Sequence, residues 1–448
     1  MKRYREIVVL GAAESGTGAA VLAAKKGLKI FVSDKGAIKE TYKSVLTHFE
    51  IDFEEGNHDL KRILSAAEII KSPGIPDTIP IMEAISKANI PVISEIEFAS
   101  RFTTAKIIGI TGSNGKTTTT LLLGYILKTA GLNVGVAGNI GKSFAWQVAE
   151  NDKDVFVLEL SSFQLDGMRN FKVDISILLN ITPDHLDRYD NKFENYVYSK
   201  FRILQNQSKN EAFIYCYDDP VIRKELAERK ADIKRFPISL GKLNVENGAY
   251  TDQGKLIIKH NKKEFNMTLE QLALQGKHNV YNSMAAGVAA KLMEIRNDTI
   301  KQCLSDFQNI AHRLEYVGSV HGIRFINDSK ATNVNSTWYA LESAEHPTVW
   351  IVGGIDKGND YDFIKPLVKQ KVKAIVCLGM DNQKIHEAFG DDIELIFDTQ
   401  SAAEAVQAAY QMASKGDTVL LSPACASFDL FENYEDRGNQ FKKAVNNL

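Results

Sequence analysis

The sequence predicts an α/β fold of about three domains, with mostly parallel sheets covered by helices. Two observations carry that prediction. One grammar recurs in three blocks, a short β-branched run, a glycine-containing turn and a helical pattern, and this alternation builds parallel sheets with crossover helices. The chain also has 448 residues, where a single domain typically takes ~150. Hydrophobic residues at 44% and charged residues at 25% are the balance of a soluble chain able to bury substantial cores.

The first block opens with the strand-like run IVVL, followed by Gly11 and a helical stretch to Lys26 that Gly27 caps. The run LKIFVSD ends at Asp34. EIIKSPG and IPVIS read as further strands, with Pro91 ahead of a boundary near Ile96. The second block starts at KIIGI and continues through NVGVAGNIG, DVFVLELSSFQL and DISILLNITPDH. A helix containing YVYSKFRIL follows, then the run EAFIYCYDDP, a strand-and-turn region over residues 235–268, and a closing helix from about Asn279 to Met293. The third block begins near Ile310 with the hairpin-like VGSVHGIRFIND and a helix around NVNSTWYAL. Its strands are TVWIVGGID, KAIVCLG and DTVLLSPACASFDLF. The expected domains are therefore 1–94, 95–309 and 310–448, with no tandem repeat and no low-complexity linker.

Charge and composition exclude several function classes. A net charge of −2 provides no basic field for nucleic acid or an anionic membrane surface. Cys216, Cys303, Cys377 and Cys425 are far apart, with no CxxC pair and no disulfide-like spacing. That pattern points to a reducing cytoplasm and to no zinc site. No apolar run approaches the ~18 residues that span a bilayer. In MKRYREIVVLGAAESG the apolar run is broken at Glu14, so this segment reads as a first strand and not as a signal peptide.

The stretch TGSNGKTTTT, residues 111–120, lies between a strand and a helix. A turn of this kind exposes backbone N–H groups at the positive end of the helix dipole, where phosphates bind. Gly112 and Gly115 let the backbone bend around phosphates, with Ser113 and Asn114 between them. Lys116 supplies a cation for the outer phosphates and Thr117 a hydroxyl for Mg²⁺. The common pattern G-x-x-x-x-G-K-[ST] has glycine where this chain has Ile110, so the loop is a compact variant. A nucleoside triphosphate is the expected ligand.

Phosphoryl chemistry needs metal ligands near that loop, and neighbouring parallel strands deliver their C-terminal ends to one crevice. Glu159 ends the apolar run VFVLEL, where an unpaired carboxylate is costly to bury, so a metal or cationic partner is expected. His185 follows the strand-like ISILLNITPD. Lys200, in YVYSKFRIL, reads by itself as a solvated helical lysine. On the residues alone, a P-loop nucleotide sensor remains open beside an enzyme.

The strings TGSNGKTTTT, GNIG, LELSSFQL, NITPDHLDRY, HNVYN, INDSKATN and LSPACASFD occur in the order found in the Mur ligases, and from about residue 108 to 437 the chain resembles that family. SSFQL and DSKATN resemble the members that add D-glutamate to UDP-N-acetylmuramoyl-L-alanine; sister ligases and folylpolyglutamate synthetases are the nearest alternatives. The resemblance implies an N-terminal Rossmann-like UDP-binding domain, a central P-loop ATPase domain and a C-terminal Rossmann-like amino-acid-binding domain. It implies an ATP-dependent amide ligase of cytoplasmic peptidoglycan precursor synthesis, acting as a monomer on small molecules through an acyl phosphate.

Residue by residue, the resemblance implies that Gly115, Lys116, Thr117 and Thr118 grip the ATP phosphates, and that Glu159 and His185 bind Mg²⁺ along with Thr117. Two ions are expected, and Lys200 would be carbamylated to give a further anionic ligand. Asn139 would contact the UDP-linked substrate or the acyl phosphate, and Asn279 and Asn282 would lie beside the nucleotide base. Arg313, Asp328 and Lys330 would contact ATP, with Lys330 joining Lys116, Glu159, His185 and Lys200 as catalytic groups. Thr332, Lys357, Ser427 and Tyr434 would hold D-glutamate.

The N-terminal GAAESG has Ala13 where a dinucleotide fingerprint places its second glycine, and that methyl obstructs close approach of a pyrophosphate. The resemblance instead implies that the UDP moiety lies here, near Ser15, Asp34 and the Ser72, Pro73 and Gly74 loop. Lys35 stands where relatives often carry a small hydroxyl residue.

Overall fold

The computed structural model describes residues 6–448 except Asp152, Lys230, Ala231, Gln308, Asn309, Ile310, Ser343 and Glu345, and the backbone alone at Asn335 and Tyr339. The expected boundary at 309/310 lies outside the described residues. Two compact units emerge, one ending at Phe307 and the other running to Leu448.

The first unit contains two sheets. The smaller has five parallel strands in the order Asp52–Glu55, Ile30–Asp34, Ile7–Leu10, Glu68–Lys71, Val92–Ser94. Val8 and Val9 are both fully buried on opposite faces of the central strand, which is why IVVL reads as a continuous apolar run without alternation. The chain leaves this strand in one direction and returns on its other side, and such a switch point opens a crevice at the strand C-termini.

The larger sheet has nine strands. Val155–Glu159 is buried at every position, and Lys106–Thr111 lies between it and Ile175–Leu178, parallel to both. Gly248–Asp252, Lys255–His260 and Lys263–Thr268 complete one edge as an antiparallel meander. That accounts for the strand-and-turn region over 235–268, whose last strand alternates exposed and buried positions as a half-covered edge does. The expected closing helix runs Lys277–Leu292. It is followed by another, Asn297–Asp306, which buries Ile300, Cys303 and Leu304.

One hydrophobic cluster runs from Val9 to Leu304 and joins the two sheets. The helix Glu14–Lys25 packs on Phe144–Glu150 so closely that a Cβ on Gly18 would meet Ser143 Oγ at 2.2 Å. Ser143 N–H donates to Glu14 Oε1 at 3.1 Å.

The second unit is a six-stranded sheet in the order Glu315–Val320, Ile323–Asn327, Thr418–Ala424, Thr348–Gly353, Val372–Leu378, Ile396–Thr399. The first pair is the expected hairpin and is antiparallel, with an irregularity between Tyr316 and Gly318; the rest is parallel. Separate apolar clusters cover its two faces. No helix among the described residues is long and apolar enough to cross a membrane.

Candidate active site

The phosphate loop is built as its residue types require. Gly115 caps the helix Lys116–Thr129 with φ at 83°, a conformation that favours glycine. A Cβ there would lie 2.4 Å from Asn282 Oδ1. The first-turn N–H groups of the helix, from Lys116 on, have no intrahelical acceptor and point into the loop. Lys116 Nζ donates to the carbonyls of Gly112 and Ser113, both at 2.8 Å. Asn114 N–H donates to Asn180 Oδ1 at 2.8 Å, and Asn180 Nδ2 returns a bond to Asn114 O. Ser113 Oγ donates to Thr182 O and lies 3.1 Å from Tyr196 Oη. The loop is thus braced by the end of the next strand, Ile175–Leu178, through Asn180 and Thr182. Sequence reasoning did not single out Asn180 or Tyr196. Asn180, in LLNITPD, has a discernible signal, an amide directly after an apolar strand.

Glu159, only 2% exposed, reaches this loop because its strand pairs with Lys106–Thr111, placing Ile110 opposite Glu159. Thr117 Oγ1 donates to Glu159 Oε2 at 2.7 Å, and Asn139 Nδ2 donates to Glu159 Oε1 at 2.9 Å. Three residues expected at one site from three segments therefore share one carboxylate.

Lys200 departs from its isolated reading as a solvated lysine. It is 2% exposed, in the helix Phe193–Phe201. Its amine donates to Thr111 Oγ1 at 3.4 Å. Burial first, and then the charge of Lys116, hold this amine well below the usual lysine range, against the pull of Asp184, Glu159 and Asp166. A buried amine inclined to lose its proton beside carboxylates suits conversion to a carbamate, because the free base is what adds CO₂.

His185 adopts the left-handed conformation, with φ at 52°, ahead of the short helix Leu186–Arg188. Its Nε2 is 3.7 Å from Asp184 Oδ2, and its ring meets the Phe163 ring edge-on. Phe163 lies in the helix Ser162–Asp166 that follows the Glu159 strand, so the imidazole is held near the C-terminal end of that strand. The Glu159 carboxylate, the Thr117 hydroxyl and the oxygens that a carbamate on Lys200 would add suit a hard divalent cation such as Mg²⁺, with the His185 imidazole as the one nitrogen donor.

Asn279 and Asn282, both buried, form a chain of bonds to the loop helix. Asn282 Nδ2 donates to Asn279 Oδ1, and Asn282 Oδ1 accepts from Thr119 Oγ1, each at 3.1 Å. Thr118 is buried in that helix's first turn.

At the smaller sheet, Ser15, Asp34 and the Ser72, Pro73 and Gly74 loop lie at the switch-point crevice, whereas Asn139, also expected at the UDP-linked substrate, stands at Glu159 in the larger sheet. Asp34 Oδ2 accepts from Ala12 N–H at 2.7 Å, and its Oδ1 accepts from Gly36 N–H at 2.8 Å. Asp34 therefore ties two loops together. Ser72 N–H donates to Leu10 O, and Ser72 Oγ donates to Gly11 O at 3.4 Å. Pro73 and Gly74 follow in the same loop, and Ser15 lies in the first turn of Glu14–Lys25.

In the second unit, Asp328, Lys330, Thr332, Lys357 and Ser427 follow the C-terminal ends of the neighbouring strands Ile323–Asn327, Thr348–Gly353 and Thr418–Ala424, whereas Arg313 precedes Glu315–Val320 and Tyr434 opens the helix Tyr434–Asn446. Asp328 Oδ2 accepts from Ser422 Oγ at 3.0 Å, and its Oδ1 from Leu314 N–H at 3.2 Å. Burial raises its carboxyl to about 6, opposed by the charge of Arg313. Lys330 Nζ lies 5.3 Å from the centroid of the Tyr434 ring. Lys330 O accepts from Thr332 N–H at 3.0 Å. Ser427 is buried, and Lys357 is exposed in a turn organised by Asp356, which accepts from Gly358 and Asn359 N–H.

Sequence reasoning missed Arg437. It is fully buried and donates to Ser329 Oγ, Ser329 O and Cys425 O, pinning the Asp328–Lys330 loop to the segment before Ser427. Its number in the sequence provides no clue, because an arginine in YEDRGNQF reads as solvated.

The Mur ligase middle domain matches residues 110–290, the Mur ligase glutamate ligase domain residues 312–425, and the MurD N-terminal domain residues 7–79. A protein of Christiangramia forsetii named UDP-N-acetylmuramoylalanine–D-glutamate ligase is 55% identical over 444 residues, covering 99% of this chain and 100% of its own. One of the same name from Bacteroides fragilis is 56% identical over 448 residues, covering 99% and 100%. Among solved structures, a pseudomurein peptide ligase type C from Methanothermus fervidus aligns with a TM-score of 0.63 at 21% identity, over 99% of both chains. A MurF ligase from Thermotoga maritima in complex with ADP aligns at 0.60 and 17% identity, over 87% of this chain and 91% of its own.

Proposed function

The chain belongs to the Mur ligase family, and on that premise we propose how its residues carry out ATP-dependent addition of D-glutamate to UDP-N-acetylmuramoyl-L-alanine. The end-to-end likeness to curated D-glutamate ligases carries the choice of amino acid. The reaction belongs to peptidoglycan precursor synthesis, which we place in the cytoplasm, where ATP and UDP-linked sugars are made and used. We take the working form to be a monomer of three parts, 1–94, 95–309 and 310–448.

A carboxylate is a poor electrophile, so the terminal L-alanine carboxylate first attacks the γ-phosphorus of ATP. An acyl phosphate forms and ADP leaves. The D-glutamate amine then adds to the acyl carbon, loses a proton, and expels phosphate from a tetrahedral intermediate to leave the amide. Lys116 and the first-turn N–H groups up to Thr118 hold the phosphates, with Gly112, Ser113 and Asn114 shaping the loop. Asn139 and Thr117 orient the Glu159 carboxylate, as their hydrogen bonds to it suggest. Glu159, His185, Thr117 and carbamylated Lys200 would hold Mg²⁺, two ions in all, which neutralises charge between the phosphates and the approaching carboxylate.

Ser15, Asp34 and the Ser72–Gly74 loop bind the UDP moiety at the switch-point crevice. Asn279 and Asn282 lie beside the base. Arg313, Asp328 and Lys330 serve ATP, and Thr332, Lys357, Ser427 and Tyr434 serve D-glutamate.

The test is phosphate release from MgATP and UDP-N-acetylmuramoyl-L-alanine, with D-glutamate, L-glutamate, L-lysine or diaminopimelate added in turn. Release and the matching product mass are expected with D-glutamate alone. Release with another amino acid would overturn the specificity, and none with any of them would overturn the ligase assignment.

A further inference from the structure

Cys377, His386 and Asp398 have been given no part in the ligation. We propose that they form a binding site for one divalent transition-metal cation of the zinc type. Cys377, in the strand Val372–Leu378, and Asp398, in Ile396–Thr399, are register partners on adjacent parallel strands. Directly paired residues project from the same face of a sheet. His386 comes from the helix Gln383–Phe389, the crossover between those two strands, which lies over that face.

One ligand atom from each residue falls within 4.8 Å of the others. His386 Nε2 is 3.1 Å from both Asp398 oxygens, and Asn382 Nδ2 donates to Asp398 Oδ1 at 3.0 Å. An amide that orients a ligating carboxylate is a common support of metal sites. The thiol forms a fully buried floor, while the imidazole and carboxylate side chains are 42% and 57% exposed. They border an open cleft of about 610 Å³ that Thr399 and Glu404 also line.

The donor set decides the cation. Mg²⁺ and Ca²⁺ prefer oxygen ligands throughout, whereas sulfur with imidazole and carboxylate favours Zn²⁺ and its neighbours. Tetrahedral donors around zinc stand about 3.5 Å apart; the imidazole and carboxylate are already that close, so only their separation from the thiol has to close, by roughly 1 Å at most, which the two exposed side chains can do by rotation. Binding displaces the thiol proton to solvent, and water completes the fourth position. Spacing rules did not find this group because its members are brought together by strand register and a crossover, not by a local CxxC or HxxxH pattern.

Cobalt tests the site, because a thiolate–Co²⁺ bond has a charge-transfer absorption that oxygen and nitrogen ligands lack. Metal-stripped full-length protein is titrated with Co²⁺ in excess Mg²⁺, which occupies the ATP site. The expected result is one equivalent of the charge-transfer species, displaced by Zn²⁺. Cys377→Ser should abolish the band, and His386→Gln and Asp398→Asn should each weaken Co²⁺ binding at least about tenfold. The last two positions are exposed, so these variants remain informative if Cys377→Ser misfolds. Absence of the band in the wild type, or unchanged binding in both exposed variants, would overturn the proposal.

Discussion

At the scale of single residues, burial changes the chemistry of two groups in opposite directions. Lys200 has its charge disfavoured by burial and by Lys116, which is the state that the proposed carbamylation requires. Lys200→Ala should lower turnover by about 10²-fold or more while leaving the fold intact by circular dichroism. Added formate or acetate should restore part of the rate by supplying the missing oxygens. Wild-type turnover in the variant would end the proposed role. Glu95, fully buried, accepts a bond from Ala145 N–H, while its Oε2 has no partner. Burial, helped by the charge of Glu14, raises its carboxyl from 4.5 to about 7. A raised carboxyl pKa contributes stability that is complete below the unfolded value and is lost as pH rises through the folded one. The wild type should therefore lose of order 1–3 kcal/mol relative to Glu95→Gln between about pH 4.5 and 7. Urea melts across that range measure the difference. Parallel pH curves for the two proteins would contradict it. Neither environment is legible in the sequence, since Lys200 and Glu95 sit in ordinary helical contexts and are buried only by elements distant along the chain.

At the scale of elements, local grammar was a good guide where local physics decides. The buried parallel strands VFVLE and IVVL, the phosphate loop between strand and helix, and the hairpin before Asp328 were all readable from residue type and spacing. The helix Asn297–Asp306 escaped because its apolar stripe has only Ile300, Cys303 and Leu304 among polar neighbours. The antiparallel meander was visible only as turns and short runs, because strand direction depends on pairing and not on composition. The phosphate loop itself makes the sharpest demand on one element. Gly115 has φ at 83°, and an added Cβ would meet Asn282 Oδ1 at 2.4 Å and Leu179 Cδ1 at 3.2 Å. Gly115→Ala must either move the loop or displace the asparagine that clasps the following helix through Thr119. Strain of this kind costs about 1–3 kcal/mol, and it falls on the N–H groups that would face the phosphates. Calorimetry should show ATP-analogue affinity reduced at least about tenfold, with a smaller change in melting temperature. Unchanged affinity would mean that the loop does not hold the triphosphate.

For the whole molecule, the three-block rhythm of the sequence corresponds to three sheets, yet the hydrophobic cores are distributed differently. A single cluster runs from Val9 through Phe144 to Leu304, while the clusters on the two faces of the last sheet begin at Ile323 and Val334. Sequence periodicity marks which face of a helix is apolar, but it does not say which sheet that face will cover. The helix Glu14–Lys25 makes the difference plain, because it is buried almost throughout, from Gly16 to Ala23. Part of that cover comes from Phe144–Glu150, which belongs to the larger sheet. Cut off at residue 94, the first sheet would keep the small cluster on its other face, from Val8 to Ile85, but would leave the Gly18 face of this helix in water and strip the Val9 face of the partners it shares with the larger sheet. At roughly 25 cal/mol per Å² of apolar surface, even a few hundred Å² of such exposure rivals the whole stability of a small domain. A fragment of residues 1–94 should therefore show no cooperative thermal transition by circular dichroism. A fragment of residues 311–448 keeps both clusters of its own sheet and should unfold in one sharp transition. Cooperative melting of the shorter fragment would mean that the first sheet is an independent folding unit, and a featureless melt of the longer one would mean that its two clusters do not suffice.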